Sequence, residues 1–209
     1  MASQTRSAGL GQSIVMGNRA WTTPTNIYTS NNAYARTGMA RGDITHWLRA
    51  TTFGFSIPDG ATIDGIVAEF EKRATASGIS DSSVQIVMAG SEQGDERAVA
   101  GYWPTSDTYI AHGGIADLWG LGWNAAAINA SNFGVSIAAR FVASDEKTVY
   151  IDHVRITVYY TEVALTNMKI NIGDVFKDVD EIKINVADVW KPVTGIWINI
   201  GDSWKKVFG

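Results

Sequence analysis

The stretch TVYIDHVRITVYYT, residues 148–161, constrains the fold more than any other. Val154, Ile156, Val158 and Tyr160 alternate there with His153, Arg155 and Thr157. A period of two marks a half-buried β-strand, because successive side chains point to opposite faces of a sheet. The pattern recurs upstream. ATIDGIVAEFEKRAT puts Ile63, Ile66, Ala68 and Phe70 on one side and Glu69, Glu71 and Arg73 on the other. SSVQIVMAG alternates Val84, Ile86 and Met88 with Gln85 and Val87, and FGVSIAARFVAS turns Phe133, Val135, Ile137 and Ala139 inward and Ser136 outward. THWLRATTFGFSIP is another aromatic, alternating run, and it meets a turn at Pro58, Asp59 and Gly60.

No stretch sustains a 3.6-residue period. IADLWGLGWNAAAINA allows one helical turn near Ala125–Ile128, since Gly120 and Gly122 break anything longer. Many short strands with turn signals and no interposed helices predict an all-β protein, with a jelly-roll or β-sandwich main domain. The 21 glycines and the eight Trp, seven Tyr and seven Phe fit that class. The chain has no cysteine, so neither disulfides nor thiolate metal sites hold it together. A net charge of −4 lacks the basic footprint of a nucleic-acid binder. No run approaches the length of a membrane span, and the first twenty residues lack the apolar core of a secretory leader. The expectation is therefore a protein made in the cytoplasm.

Four regions are expected. Residues 1–20, rich in Ser, Gly, Ala and Gln, read as an extended N-terminal arm. Residues 21–162 carry the sandwich, and 163–167 form a linker. Residues 168–209 repeat one fourteen-residue phrase three times: MKINIGDVFKDVDE, IKINVADVWKPVTG and IWINIGDSWKKVFG. Asn171, Asn185 and Asn199 coincide, as do Phe176, Trp190 and Trp204. Each phrase reads as a β-hairpin turning at Gly-Asp or Ala-Asp, with Ile172 opposite Val175 in the first. Such a unit is marginal alone, so the three either close the domain as a stability clip or dock on another protein. Phe176, Trp190, Trp197 and Trp204 are the candidate partner contacts, aromatics being efficient interface anchors.

Catalytic signatures are lacking. His46, His112 and His153 stand at no metal-ligand spacing, and no nucleophile elbow, phosphate loop or dinucleotide fingerprint occurs. The expectation is a protein that is not an enzyme and holds no cofactor or metal. Asp117 or Asp152 would be the ligands if calcium were bound. Arg41-Gly42-Asp43 reads as a turn rather than an integrin motif, and the Asn129 glycosylation sequon as incidental. GYWPTSDTYIAHGGIADLWGLGWN is dense in aromatics. Trp103, Tyr109, Trp119 and Trp123 either fill the core or stack on sugar rings, with Asp107, His112 or Asp117 bonding hydroxyls.

FGFSIPDGATIDGI, DLWG and IDHVRITVYY, within Trp21–Tyr160, resemble structural proteins of tailed bacteriophages. INIGDVFKDV, INVADVWKPV and INIGDSWKKV resemble the NvGgxWKxV phrases near the ends of many phage tail and virion proteins. Phe176 and Ala187 depart from that pattern, as do the Asp residues in the turns. The resemblance implies a non-enzymatic virion component: a capsid decoration or cement protein or a head-fibre subunit, by analogy a homotrimer. Its partners would be its own copies and the major capsid or tail proteins. YIDHVRITVYY is also similar to the last strand of carbohydrate-binding jelly rolls, which keeps open a tail fibre or receptor-binding module for host glycans.

Overall fold

The computed structural model describes residues 1–143 and 145–162, and the backbone of segments 169–172, 175–178, 183–186, 189–193, 196–200 and 203–208. The longest strand is the alternating stretch itself, β10 (Lys147–Thr161), which pairs antiparallel along its length with β5 (Thr62–Ala74). Its other edge is shared by β3 (Ala35–Met39) over Lys147–Ile151 and β1 (Ala2–Ser7) over Arg155–Tyr160. β8 (Thr108–Gly114) completes this sheet beside β5. The second sheet runs β2 (Leu10–Ile14), β4 (Trp47–Thr51), β9 (Gly134–Phe141), β6 (Ile79–Met88) and β7 (Ser91–Gln93). The orders 3-10-5-8 and 4-9-6-7 are those of a jelly roll, the chain crossing between sheets at every step except β6 to β7. The helical turn expected near Ala125 is α1 (Ala125–Asn129), and it starts where Asn124 accepts a capping bond from the Ala127 amide at 2.8 Å.

The inward rows follow the alternation except at the end of β6, where Met88, read as inward, is half-buried and Val87, read as its outward neighbour, is fully buried. Ile66, Ala68 and Phe70 of β5 and Val154, Ile156 and Val158 of β10 are fully buried. So are Val84 and Ile86 of β6 and Val135, Ile137 and Ala139 of β9, and all join one core. Bulges explain where the period slips. Tyr159 pairs with Gly65 and Tyr160 with Ile63, which leaves Asp64 as an extra residue. Ile63 and Ile66, three apart, therefore both point inward. Asp152 is the extra residue on β10, between Ile151 opposite Lys72 and His153 opposite Glu71.

Residues 1–20 are not a separate arm. β1 and β2 are edge strands of the body's own sheets. The Gln4 side chain also exchanges two hydrogen bonds with the Ser56 backbone, at 2.9 and 3.2 Å. The segment is polar because an edge strand needs only its backbone to cover an open ladder. Where it crosses the core it uses small residues. A Cβ on Gly11 would lie 2.0 Å from the Pro24 carbonyl oxygen.

DLWG acts as a plug. Trp119 adopts a left-handed backbone (φ 56) that inserts its indole, fully buried, beneath β5 and β8. Its Nε1–H donates to the Ile66 carbonyl at 3.0 Å. Asp117 shapes the turn by accepting from the Trp119 amide at 2.8 Å, and its own carbonyl accepts from the Ile66 amide at 3.0 Å. Gly113 (φ 79) lets the indole in, because a Cβ there would meet Nε1 at 2.7 Å.

The C-terminal segments form three hairpins: β11 (Lys169–Ile172) with β12 (Val175–Asp178), β13 (Lys183–Val186) with β14 (Val189–Pro192), and β15 (Ile196–Ile200) with β16 (Ser203–Phe208). The registers repeat: Asn171 stands opposite Phe176, Asn185 opposite Trp190 and Asn199 opposite Trp204. The third carries a slip between Ile196 and Trp197. The linker at 163–167 and the turns at 173–174, 187–188 and 201–202 lie outside the described residues, as do the four candidate contact side chains.

Trp119→Ala is expected to lower the unfolding free energy by about 3–5 kcal/mol, the cost of emptying a buried aromatic site. A shifted urea midpoint at unchanged slope would check this.

Candidate functional site

The outward row of β5 and β10 is neither bland nor fully solvated. Arg155 holds Glu69 in a two-pronged ion pair, at 2.7 and 3.0 Å, with its guanidinium 4.2 Å from the Tyr109 ring centre. The Tyr109 hydroxyl meets His153 Nδ1 at 2.7 Å, and His153 Nε2 meets the Ser7 hydroxyl at 2.8 Å. Further along, the Arg73 guanidinium lies 4.8 Å from the Tyr34 ring centre and 4.0 Å from that of Tyr150. The two rings pack edge to face at 5.2 Å. Asp107 accepts from the Tyr34 hydroxyl at 2.8 Å and pairs with Arg73 at 3.2 Å. The result is one band of half-exposed aromatics and paired charges across the sheet.

Beside Tyr34 the band opens into a polar hollow of about 240 Å³, lined by Thr23, Asn26, Asn32, Tyr34 and Arg36. Its rim is tied down from below. Asp152 Oδ2, at the bulge of β10, accepts from the Asn31 and Asn32 amides at 3.0 Å each. Burial, with Glu71 and Asp107 nearby, raises the Asp152 carboxyl above the usual range. The hollow offers amides, a hydroxyl, a guanidinium and an aromatic edge, a set suited to a polar neutral ligand or a polar protein loop.

Of the four proposed sugar-stacking residues, only Tyr109 lies on this face. Trp119 is the core plug, and Trp103, 4% exposed, turns its Nε1–H inward to Asp81 at 2.7 Å. Both are removed as stacking candidates, because the loop folds over the open end of the sandwich and needs apolar fillers there. Trp123 is half-buried against Phe133, ring centres 5.4 Å apart, with Nε1–H donated to the Leu118 carbonyl. His112 is likewise buried. Asp117 is held through both oxygens by Arg97, at 2.6 and 2.8 Å, and through one also by the Trp119 amide. Among the described residues no group of three His, Asp or Glu is arranged to hold a metal ion.

Asp43 of the Arg-Gly-Asp triplet is buried and accepts from Asn18, Arg19 and the Ala40 amide. Asn129 exchanges two bonds with the Ile57 backbone, at 2.8 and 2.9 Å. Both are structural. Sequence reasoning missed Tyr34, Tyr150 and Arg73 as a unit. Tyr150 had a signal, standing outward between the inward Val149 and Ile151. Tyr34 had none, since its loop reaches the face only through the fold.

No family model matches this chain, and no curated protein does. One solved structure, titled "CBM4 structure and function", aligns over 73% of this chain and 92% of its own, at 11% identity and a TM-score of 0.35. So low a likeness carries no argument, and the sandwich stands on its own strand pairing.

Burial lowers the His153 pKa, with Glu71 opposing and Arg155 reinforcing the shift. The unfolded chain then binds the extra proton first, below an unfolded value of about 6.5. This contribution to stability is present above that pH and is lost as pH falls toward the folded value. His153→Gln is expected to flatten the decline that begins below about pH 6.5, measured by thermal melts across pH.

Proposed function

We propose that this chain is a structural protein of a tailed-bacteriophage particle, a capsid decoration or head-fibre component that acts by protein–protein binding. The observation that carries the reading is the triplicated hairpin with its repeated Asn–aromatic register. Strands of four to six residues paired two by two are marginal in water by themselves. Three such units in series gain stability by laying an aromatic row against another surface, and weak contacts multiplied by particle symmetry become strong through avidity. The jelly roll supplies the rigid body and the hairpins supply attachment. A homotrimer suits this role, since copies around an axis triple the number of hairpins.

A second reading has its own observation, the aromatic band and the polar hollow beside Tyr34. There the chain would be a fibre or receptor-binding module that takes a host-surface glycan, with Tyr34 and Tyr109 as the aromatic contacts.

Sedimentation separates the two. Incubated with particle shells that lack it, the full chain is expected to pellet with them. Trp190→Ala with Trp204→Ala should weaken that at least tenfold while leaving the body's melting temperature unchanged. Tyr34→Ala should have no effect. Pelleting that ignores the tryptophans, with binding to host polysaccharide that is lost in Tyr34→Ala, would reverse the assignment.

A further inference from the structure

Lys72 on β5 and Asp81 on β6 belong to consecutive strands in opposite sheets, and both point into the core. Their side chains are each 1% exposed, with Nζ 2.5 Å from Oδ1. A buried ion pair is costly to desolvate and rarely stabilises more than an apolar pair would. This one is surrounded by groups that fit a different end state. The Trp103 Nε1–H donates to Oδ1 at 2.7 Å and the Val99 amide to Oδ2 at 3.2 Å, two donors aimed at the oxygens of one carboxyl group. The Trp103 ring lies 4.7 Å from Nζ. His112 Nδ1 bonds to the Arg97 carbonyl at 2.8 Å, and since a carbonyl only accepts, that nitrogen carries the proton. Nε2 therefore presents a lone pair. It is buried without a hydrogen-bond partner among the described residues and lies 3.9 Å from Oδ2.

The geometry points to an intramolecular amide between Lys72 Nζ and Asp81 Cγ, formed autocatalytically once the two sheets close. Burial pushes the Lys72 ammonium toward the free amine, the nucleophilic form, and keeps His112 neutral. His112 Nε2 relays a proton from the ammonium to Oδ2, and the amine attacks Cγ of the now neutral carboxyl group. Negative charge on Oδ1 is held by the Trp103 Nε1–H, as in an oxyanion hole. A second proton, from the attacking nitrogen, passes through His112 to Oδ2. The Cγ–Oδ2 bond breaks, and Oδ2 leaves as water. One ammonium and one carboxylate become one neutral amide and one water, His112 ends neutral as it began, and no oxidant or cofactor is needed. An adjoining cavity of about 80 Å³, lined by both residues and the segment 99–104, has room for the water. The ion pair holds Nζ against the carboxyl group it would attack, and held proximity of this kind replaces a large entropic barrier. The product removes a costly buried charge pair and ties the two sheets covalently in a chain without cysteine.

Mass spectrometry of the full chain, purified folded and then denatured, tests this. The expected mass is one water, about 18 Da, below that of the sequence. Trypsin should fail to cut after Lys72 and release a branched peptide joining Lys72 to Asp81. Lys72→Met and Asp81→Ala should each restore the unmodified mass for their sequence. His112→Phe, which keeps the pair and fills the space, should slow or abolish the loss; a deficit that persists there removes the proton shuttle from the mechanism. A wild-type chain at full sequence mass overturns the proposal. So does a deficit with Lys72 still cleavable, the mark of a cyclised aspartate instead.

Discussion

Strand β10 is the constraint on which the rest depends. Among the described residues it is the one strand that pairs with three others, and its two halves carry different partners on one edge. Its inward row supplies Val149, Ile151, Val154, Ile156 and Val158 to the core. Side chains of a strand alternate strictly, so the outward row is fixed by the same act. His153 and Arg155 meet Glu69 and Tyr109 on that face because β5 and β8 are held in register by the core beneath. A slip of one residue would bury the charges and expose the valines, which makes the register steep in energy. The bulge at Asp152 is the one place on β10 where the rule is relaxed toward β5, and the chain uses that residue to anchor the loop beside the polar hollow.

The sandwich was legible because burial writes itself into a period of two. Ile66, Ala68 and Phe70 could be placed without knowing any partner strand. The short helical turn near Ala125 was expected where Gly120 and Gly122 stop anything longer, and the Asn124 cap that starts it emerged only in the structure. The edge strands β1 and β2 were not legible, because they contribute backbone hydrogen bonds and almost no apolar surface. Lys72 was hidden for a related reason. It continues the inward row of Phe70 and Ala74, but a lysine there signals an outward face unless its partner Asp81 is known. Trp119 was open to two readings, core filler or sugar-stacking residue, and local sequence could not choose between them. Glycines on both sides mark a loop, yet the left-handed backbone they accompany drives the indole into the core.

The candidate face was legible only in part. Tyr109 stood out by composition, and Tyr150 by alternation. Their association with Tyr34, Arg73 and Asp107 depends on contacts between residues far apart in sequence, and no local pattern encodes those. The hairpins are the reverse case. Their repeat and register are written in the sequence and recur in three separate two-stranded sheets. In the proposed function these hairpins supply attachment and the sandwich supplies the rigid body.

Electron cryo-microscopy of an intact particle carrying the chain tests this account most directly. The account predicts jelly-roll density at regularly repeated positions on the head or tail, with the three hairpins pressed against the underlying protein. Particles that carry the body with its hairpins pointing freely into solvent, and the aromatic band against the shell instead, would contradict it.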